Sequence, residues 1–332
     1  MACQSCKEKG WNHDKVVKAC KSSLFTTGRF LCQFDKLSPK LHGPLCYWYE
    51  RARKAGDHRF LIMTPRGHLK TSLFGVAESV HRIINNPESR TLFVHASADL
   101  AQKTLAIVQS VILGDRFKHF FPELVPDPHF VPWNKQELTV VRKGNYAEAT
   151  ITARGIGSTI VGGHFTCIKV DDGVGPSAAD SPAEMESAIR FIDRMAPLFV
   201  KPQDDDGLII GTWWPGGFYE KLFSKPSYKK VVLGCYVDKR YHDFMESVGY
   251  AHPEADGSPL WPEEFSLEAL QTIKTEDMTP FEFSHQYENL PVEEDMIPFK
   301  SDDFRFYGWQ GDLVLGKSGK DPAGGVVIGD PN

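Results

Sequence analysis

Short apolar runs rich in β-branched residues recur along the chain with helical patterns between them, and that alternation predicts a parallel sheet. The runs are FLIMT (60–64), TLFVHAS (91–97), ATITA (149–153), CIKVDD (167–172), GLIIGT (207–212) and KKVVLGCYV (229–237). Helices are expected over 71–86, over 99–113 with Asp99 near the start and Gly114 past the end, and over 182–199 with Ser181 as N-cap and Pro182 in the first helical position. Beyond residue 240 the pattern changes: aromatic, proline and acidic residues mix with shorter helices such as 266–277, which suggests a small appended linker subdomain. From residue 311 the chain is rich in Gly, Lys and Asp and ends GGVVIGDPN, the pattern of another strand beginning. The organisation expected is therefore an N-terminal segment (1–39), an α/β core (40–240), a linker subdomain (241–310) and the start of a further domain (311–332).

Composition adds little to this. The 332 residues include 41% hydrophobic and 24% charged side chains, enough to bury a core. The net charge of −5 gives no global bias toward nucleic acid, so any such contact has to be local. The amino terminus, MACQSCKEKGW, has no apolar stretch of the kind a secretory signal needs, and no membrane span is expected. Seven cysteines without framework spacing fit a reducing compartment. Cys3 and Cys6 have zinc-ligand spacing, but His13 and Cys20 do not repeat a tight pair. Free thiols on a mobile N-terminus are preferred to a zinc site there.

The candidate chemistry starts at the end of the first run. Thr64, Pro65, Arg66, Gly67, His68, Leu69, Lys70, Thr71 and Ser72 resemble a phosphate-binding loop that ends in the Lys-Thr pair but has Thr64 and Leu69 at its two glycine positions. The loop follows a strand and opens a helix, so its backbone N–H groups and the positive helix end would face an anion. Lys70 would reach phosphates as a point charge, and the Thr71 hydroxyl would hold Mg²⁺. From this segment alone, an ordinary strand–turn–helix with a surface lysine is an equal alternative.

CIKVDD decides between them. An apolar strand ending in two acids supplies a carboxylate to the metal, Asp171, and a second, Asp172, to orient the attacking water. LIIGTWW adds Thr212 at another strand end, and ligands of open α/β sheets lie beyond the carboxyl ends of the strands. A dinucleotide fold is disfavoured: RGIGSTIVGG has Gly155 and Gly157 but Ile160 where the third glycine belongs.

With these stretches in place, the chain resembles the large subunit of tailed-phage terminases, the DNA-packaging motor. The resemblance rests on TPRGHLKTS, PWNKQELTVVRKGNYAEATITARGIGSTIVGGHFTCIKVDDGVG, SPAEMESAIRFIDRMAPLF, LIIGTWWPGGFYEKL, LWPEEFSLEALQTI and FSHQYENLPV, in family order over residues 40–300. It implies an ASCE-type P-loop NTPase fold, with ATP and Mg²⁺ held by Lys70, Thr71 and Asp171. It also implies Asp172 as the catalytic acid, Glu in many members, and Thr212 in the motif that couples hydrolysis to movement. Its partners would be double-stranded DNA, the portal protein of the procapsid, the small terminase subunit and further copies of the chain in a ring. It would act in the cytoplasm of the infected bacterium, at the portal vertex, and with no membrane.

Several departures follow. Leu69 stands where glycine is common, so its side chain must point away from the phosphates. Val161 and His164 stand where many members carry arginines, and Trp213 where GTRW is common. An arginine finger, worth about 10³–10⁵ in rate in related phosphoryl-transfer enzymes, would then come from Arg66 or Arg154, in the same chain or from a neighbour; a structural ion pair is an equal alternative for both. Asp330 would be the first metal ligand of a nuclease domain. A single carboxylate does not hold two metal ions, so plasmid cleavage is not expected of this chain. Tyr47 or Trp48 could stack on adenine, with helix packing preferred, and Arg51 and Arg53 read as a solvated face. DNA phosphates would find Arg142, Lys143, Lys201, Lys225, Lys229, Lys230, Lys239 and Arg240. The competing functions are another P-loop helicase or remodelling ATPase, and a non-hydrolysing scaffold that binds portal and DNA.

Overall fold

The computed structural model describes residues 11–158 and 163–290, and the backbone of two further strands, Phe304–Trp309 and Asp312–Lys317. The centre is a seven-stranded sheet: β1 (Arg59–Met63), β2 (Thr91–His95), β3 (Glu137–Leu138), β4 (Ile151–Gly155), β5 (Cys167–Asp171), β6 (Asp206–Gly211) and β7 (Lys229–Val232). Their spatial order is β3-β4-β2-β5-β6-β1-β7, and every pairing is parallel except β3 with β4. β6 therefore lies between β1 and β5.

Both faces are buried, which explains why these strands read as continuous apolar runs. Alternate residues of β1 go to opposite sides. Phe60 and Ile62 join a core with the helices His42–Lys54, Glu78–Asn85 and Ala98–Leu113, whereas Leu61 and Met63 join one with Pro182–Asp193 and Phe218–Ser224. Ser97 caps the helix Ala98–Leu113 by accepting the Leu100 N–H, Asp99 lies in its first turn as expected, and Ser181 caps Pro182–Asp193 as expected. The helix expected over 182–199 ends at Asp193 and is followed by a single tight turn, Ala196–Leu198.

The seventh strand is shorter than its sequence run. After Val232 the chain leaves the sheet: the Cys235 N–H bonds Tyr287 O and the Cys235 carbonyl accepts the Leu260 N–H. The stretch beyond residue 240 does not form a core of its own. Tyr241, Phe244, Met245, Leu260 and Trp261 enter the first core, with a small satellite of Cys235, Leu270 and Phe283. The N-terminal helix His13–Ser22 likewise packs down, and Cys20 is fully buried with its thiol pushed up to about 12 by desolvation. That corrects the mobile free thiol for Cys20, while Cys3 and Cys6 lie outside the described residues. Arg53 is also corrected: it is no solvated residue but an ion-pair partner of Asp206 at 2.7 Å. The strands Phe304–Trp309 and Asp312–Lys317 pair antiparallel, across the boundary expected at 310/311. No helix among the described residues is long and apolar enough to cross a membrane.

Candidate functional site

The chain leaves β1 through a loop pinned at two points. Arg66 donates its backbone N–H to Gln286 O at 2.8 Å and its guanidinium to Gln286 Oε1 at 2.7 Å. Two residues on, the His68 carbonyl meets His42 Nε2 at 3.3 Å, and His42 Nδ1 accepts the Ser38 N–H at 2.8 Å. That pair of bonds fixes the tautomer, with the proton on Nε2, and burial keeps His42 neutral by lowering it to about 4. A trans peptide points its C=O and N–H in opposite directions, so holding the His68 carbonyl inward turns the Leu69 N–H outward. Gly67 and Leu69 both adopt left-handed φ, at 80° and 54°. Such a backbone gathers successive N–H groups into an anion-binding concavity. The N–H groups of Gly67, Leu69, Lys70, Thr71 and Ser72 donate no hydrogen bond to any described residue.

Leu69 thus takes the conformation a glycine would, at a cost of about 1–2 kcal/mol. Its side chain is not part of the crevice described below; it packs on the main core. His68 stacks on Phe265 at 4.7 Å, behind the loop. The helix after the loop begins with wide, π-type turns over Thr71–Ala77 before becoming regular at Glu78–Asn85. The carbonyls loosened there have a partner: Lys169 of β5, fully buried, donates to Phe74 O at 3.0 Å and to Ser79 Oγ at 2.7 Å, and pairs with Glu78.

β5 delivers the two acids to different environments. Asp171 is fully buried and its Oδ1 accepts the Thr71 hydroxyl at 3.1 Å, while Oδ2 has no partner. Burial first, and then the neighbouring Asp172 charge, raise it to about 7, against the pull of Lys70 and Thr71. Asp172 is half-buried with φ of 41°. Its Oδ2 lies 3.4 Å from Lys70 Nζ, and its Oδ1 accepts the Thr212 N–H at 3.1 Å. Lys70, Thr71, Asp171, Asp172 and Thr212 therefore converge at the carboxyl ends of β1, β5 and β6.

Beside them opens a crevice of about 720 Å³ whose walls include Arg66, Lys70, His95, Asp172, Thr212 and Trp214. His95 and Trp214 escaped the reading of the sequence. His95 ends β2 opposite Asp171 in register, a juxtaposition visible only once β2 is known to neighbour β5. Burial lowers its pKa, opposed by Asp172, and Nδ1 accepts the Ser97 N–H at 3.4 Å.

The other candidates lie elsewhere. Arg154 pairs with Glu137 at 3.0 Å and is not in the crevice wall. Thr64 and Pro65 are buried below the loop, and the Thr64 hydroxyl has no partner. Tyr47 is 44% exposed beside Tyr250, and Trp48 packs on Phe60; neither lines the crevice. Val161 and Asp330 lie outside the described residues. Of the basic residues considered for DNA, Arg142 lies over the Tyr146 ring and bonds Glu148 O, and Arg240 bonds Asp238 and Glu288 O. Lys201 is exposed.

A hard cation fits the donor set. The unpartnered Asp171 oxygen and the Thr71 hydroxyl are oxygen ligands of the kind Mg²⁺ takes, together with water and phosphate. No group of three or more His, Cys, Asp or Glu side chains among the described residues has metal-holding geometry, so the protein alone offers no closed cage. Removing the buried charge gives a test with a defined sign. The Asp171 pKa is higher folded than unfolded, so the stability it contributes is present below its ordinary value of 3.8 and lost as pH rises through about 7. Asp171→Asn is therefore expected to melt higher than wild type at pH 8 without nucleotide, with the gap narrowing toward pH 5. A gap that does not change with pH contradicts this assignment.

In comparisons with known proteins the chain matches no family model and no curated protein.

Proposed function

We propose that the chain is the ATP-hydrolysing motor of a viral terminase, which moves double-stranded DNA into a procapsid. The observation that carries the ATPase part is the convergence of Lys70, Thr71, Asp171 and Asp172 at the ends of β1 and β5, with β6 between those strands. That strand order, and the unbonded N–H groups of the loop, favour an ASCE-type P-loop fold. The motor part rests on the sequence segments that resemble the terminase large subunit.

In this reading the loop N–H groups and Lys70 bind the ATP phosphates, and Thr71 and Asp171 hold Mg²⁺. Bound Mg²⁺ neutralises charge on the phosphate oxygens. Asp172 orients the attacking water. Thr212, bonded through its N–H to that carboxylate, sits where a change at Asp172 reaches the segment after β6. Arg66, in the crevice wall and tethered to Gln286, is better placed than Arg154 to approach a γ-phosphate within one chain; Arg154 is left to a neighbouring copy in a ring. The portal and the small subunit are the protein partners, and the site of action is the portal vertex in the infected host.

ATP turnover by wild type and Lys70→Ala, with Mg²⁺ and with or without double-stranded DNA and assembled portal, tests this. Turnover in wild type that rises with DNA and portal, and is absent in Lys70→Ala, is expected. Turnover indifferent to DNA and portal would favour another P-loop ATPase, and none at all a non-hydrolysing scaffold.

A further inference from the structure

Beyond β6 the chain turns back on itself. Gly216 and Gly217 hold left-handed φ of 120° and 99°, and the helix Phe218–Ser224 starts immediately after them. The reversal tucks Tyr219 under the end of β6. Its side chain is fully buried, with the ring against Trp213 at 6.0 Å. A Cβ on Gly211 would overlap the Tyr219 hydroxyl, and Asp172 Oδ1 lies 3.3 Å from that same point. Glycine at 211 is thus what lets the phenol sit beside the acid.

The hydroxyl has no hydrogen-bond partner among the described residues. An orphaned buried hydroxyl is destabilising, and phenylalanine would fill the same space without it. Burial, and then the charges of Asp172 and Asp171, push its ionisation well above the usual tyrosine value. The group therefore keeps its proton, and toward a carboxylate it acts as a donor.

Asp172 has two partners in this state, Lys70 and the Thr212 N–H. If the proposed function holds, Lys70 is drawn to the phosphates once nucleotide binds, and Asp172 loses its cation. We propose that Tyr219 is a positioning residue for the hydrolysis: its hydroxyl turns onto Asp172 when Lys70 leaves, and keeps the carboxylate aimed at the attacking water. The inference rests on the ATPase reading and adds to it a residue that touches neither nucleotide nor water.

Tyr219→Phe in the full chain tests it, with ATP turnover, KM for ATP and thermal melting measured together. The expected result is kcat lower by about 10–10²-fold, the worth of one hydrogen bond to a charged group, with KM unchanged and a melting temperature equal to or above wild type. A purely structural tyrosine would lower the melting temperature, and that result overturns the proposal. So does a variant with wild-type kcat. A wild type that hydrolyses no ATP overturns the ATPase reading and this inference with it; an active wild type matched by an equally active Tyr219→Phe overturns this inference alone.

Discussion

Asp172→Asn is expected to bind Mg²⁺–ATP as wild type does and to lose ATP turnover by about 10²–10⁴-fold, the usual worth of a positioned general base or water-orienting group. Asparagine is the informative substitution because the backbone at 172 is left-handed, with φ of 41°. Asn tolerates that conformation at least as well as Asp, and its side-chain oxygen can still accept the Thr212 N–H. The fold and the turn beyond β5 are therefore kept, and only the charge and its proton affinity are lost. Loss of the anion also frees Lys70 from its 3.4 Å pairing, so nucleotide affinity is not expected to fall. Equilibrium binding and single-turnover hydrolysis, measured on the same preparation, separate the two effects. Undiminished hydrolysis in Asp172→Asn would remove this residue from the mechanism.

Lys169→Met is expected to cost about 3–5 kcal/mol of folding stability, the range for breaking a buried ion pair by removing one partner. Lys169 sits in a buried network that links β5 and β6 to the helices His42–Lys54 and Glu78–Asn85. Glu78 accepts from Tyr49 at 2.8 Å and pairs with Arg82 at 2.6 Å, and Arg82 pairs with Asp206 at 2.8 Å. Burial alone would raise the Glu78 carboxyl, but Arg82 and Lys169 hold it well below its usual range. Burial draws Lys169 down, and Glu78 opposes that. Methionine fills the volume but leaves Glu78 one cation short and the Phe74 carbonyl without its donor. The expected signature is a lower urea midpoint with an unchanged slope. A variant as stable as wild type would mean that the network relaxes freely around the loss.

The sheet was legible because its strands are buried on both faces and read as apolar runs. The small strand β3, of two residues, carries no such signal. Of the pairings in the buried network, Glu78 with Arg82 has helical i,i+4 spacing, but Arg82 and Asp206 stand far apart in sequence and meet only through the fold. At the site, the residue types were legible and the backbone was not. Leu69 looked like a lost glycine, yet the left-handed conformation survives, and packing of the leucine on the core offsets its cost. Asp172 looked like a shortened glutamate. Its left-handed backbone suits aspartate better, since Asp is enriched there. His95 and Tyr219 were missed for one reason: their meaning comes from neighbours in space, across β2–β5 and beneath Gly211.

The contacts that hold the loop after β1 were visible in the sequence only as the segment FSHQYENLPV. Its physical content is now specific. Gln286 holds both the backbone and the guanidinium of Arg66, and Asn289, buried and left-handed at φ 49°, accepts the Trp213 N–H while donating to Leu233 O. The loop after β1 and the segment after β6 are thus both tied to residues 284–290.

The proposed function requires that the loop ending in Lys70 and the acids ending β5 form one ATP-hydrolysing site. The decisive measurement is Mg²⁺-dependent ATP turnover of the full chain, wild type and Lys70→Ala side by side. Turnover in wild type and background in Lys70→Ala is the expected result; equal turnover in the two proteins would remove Lys70, and with it this site, from the chemistry.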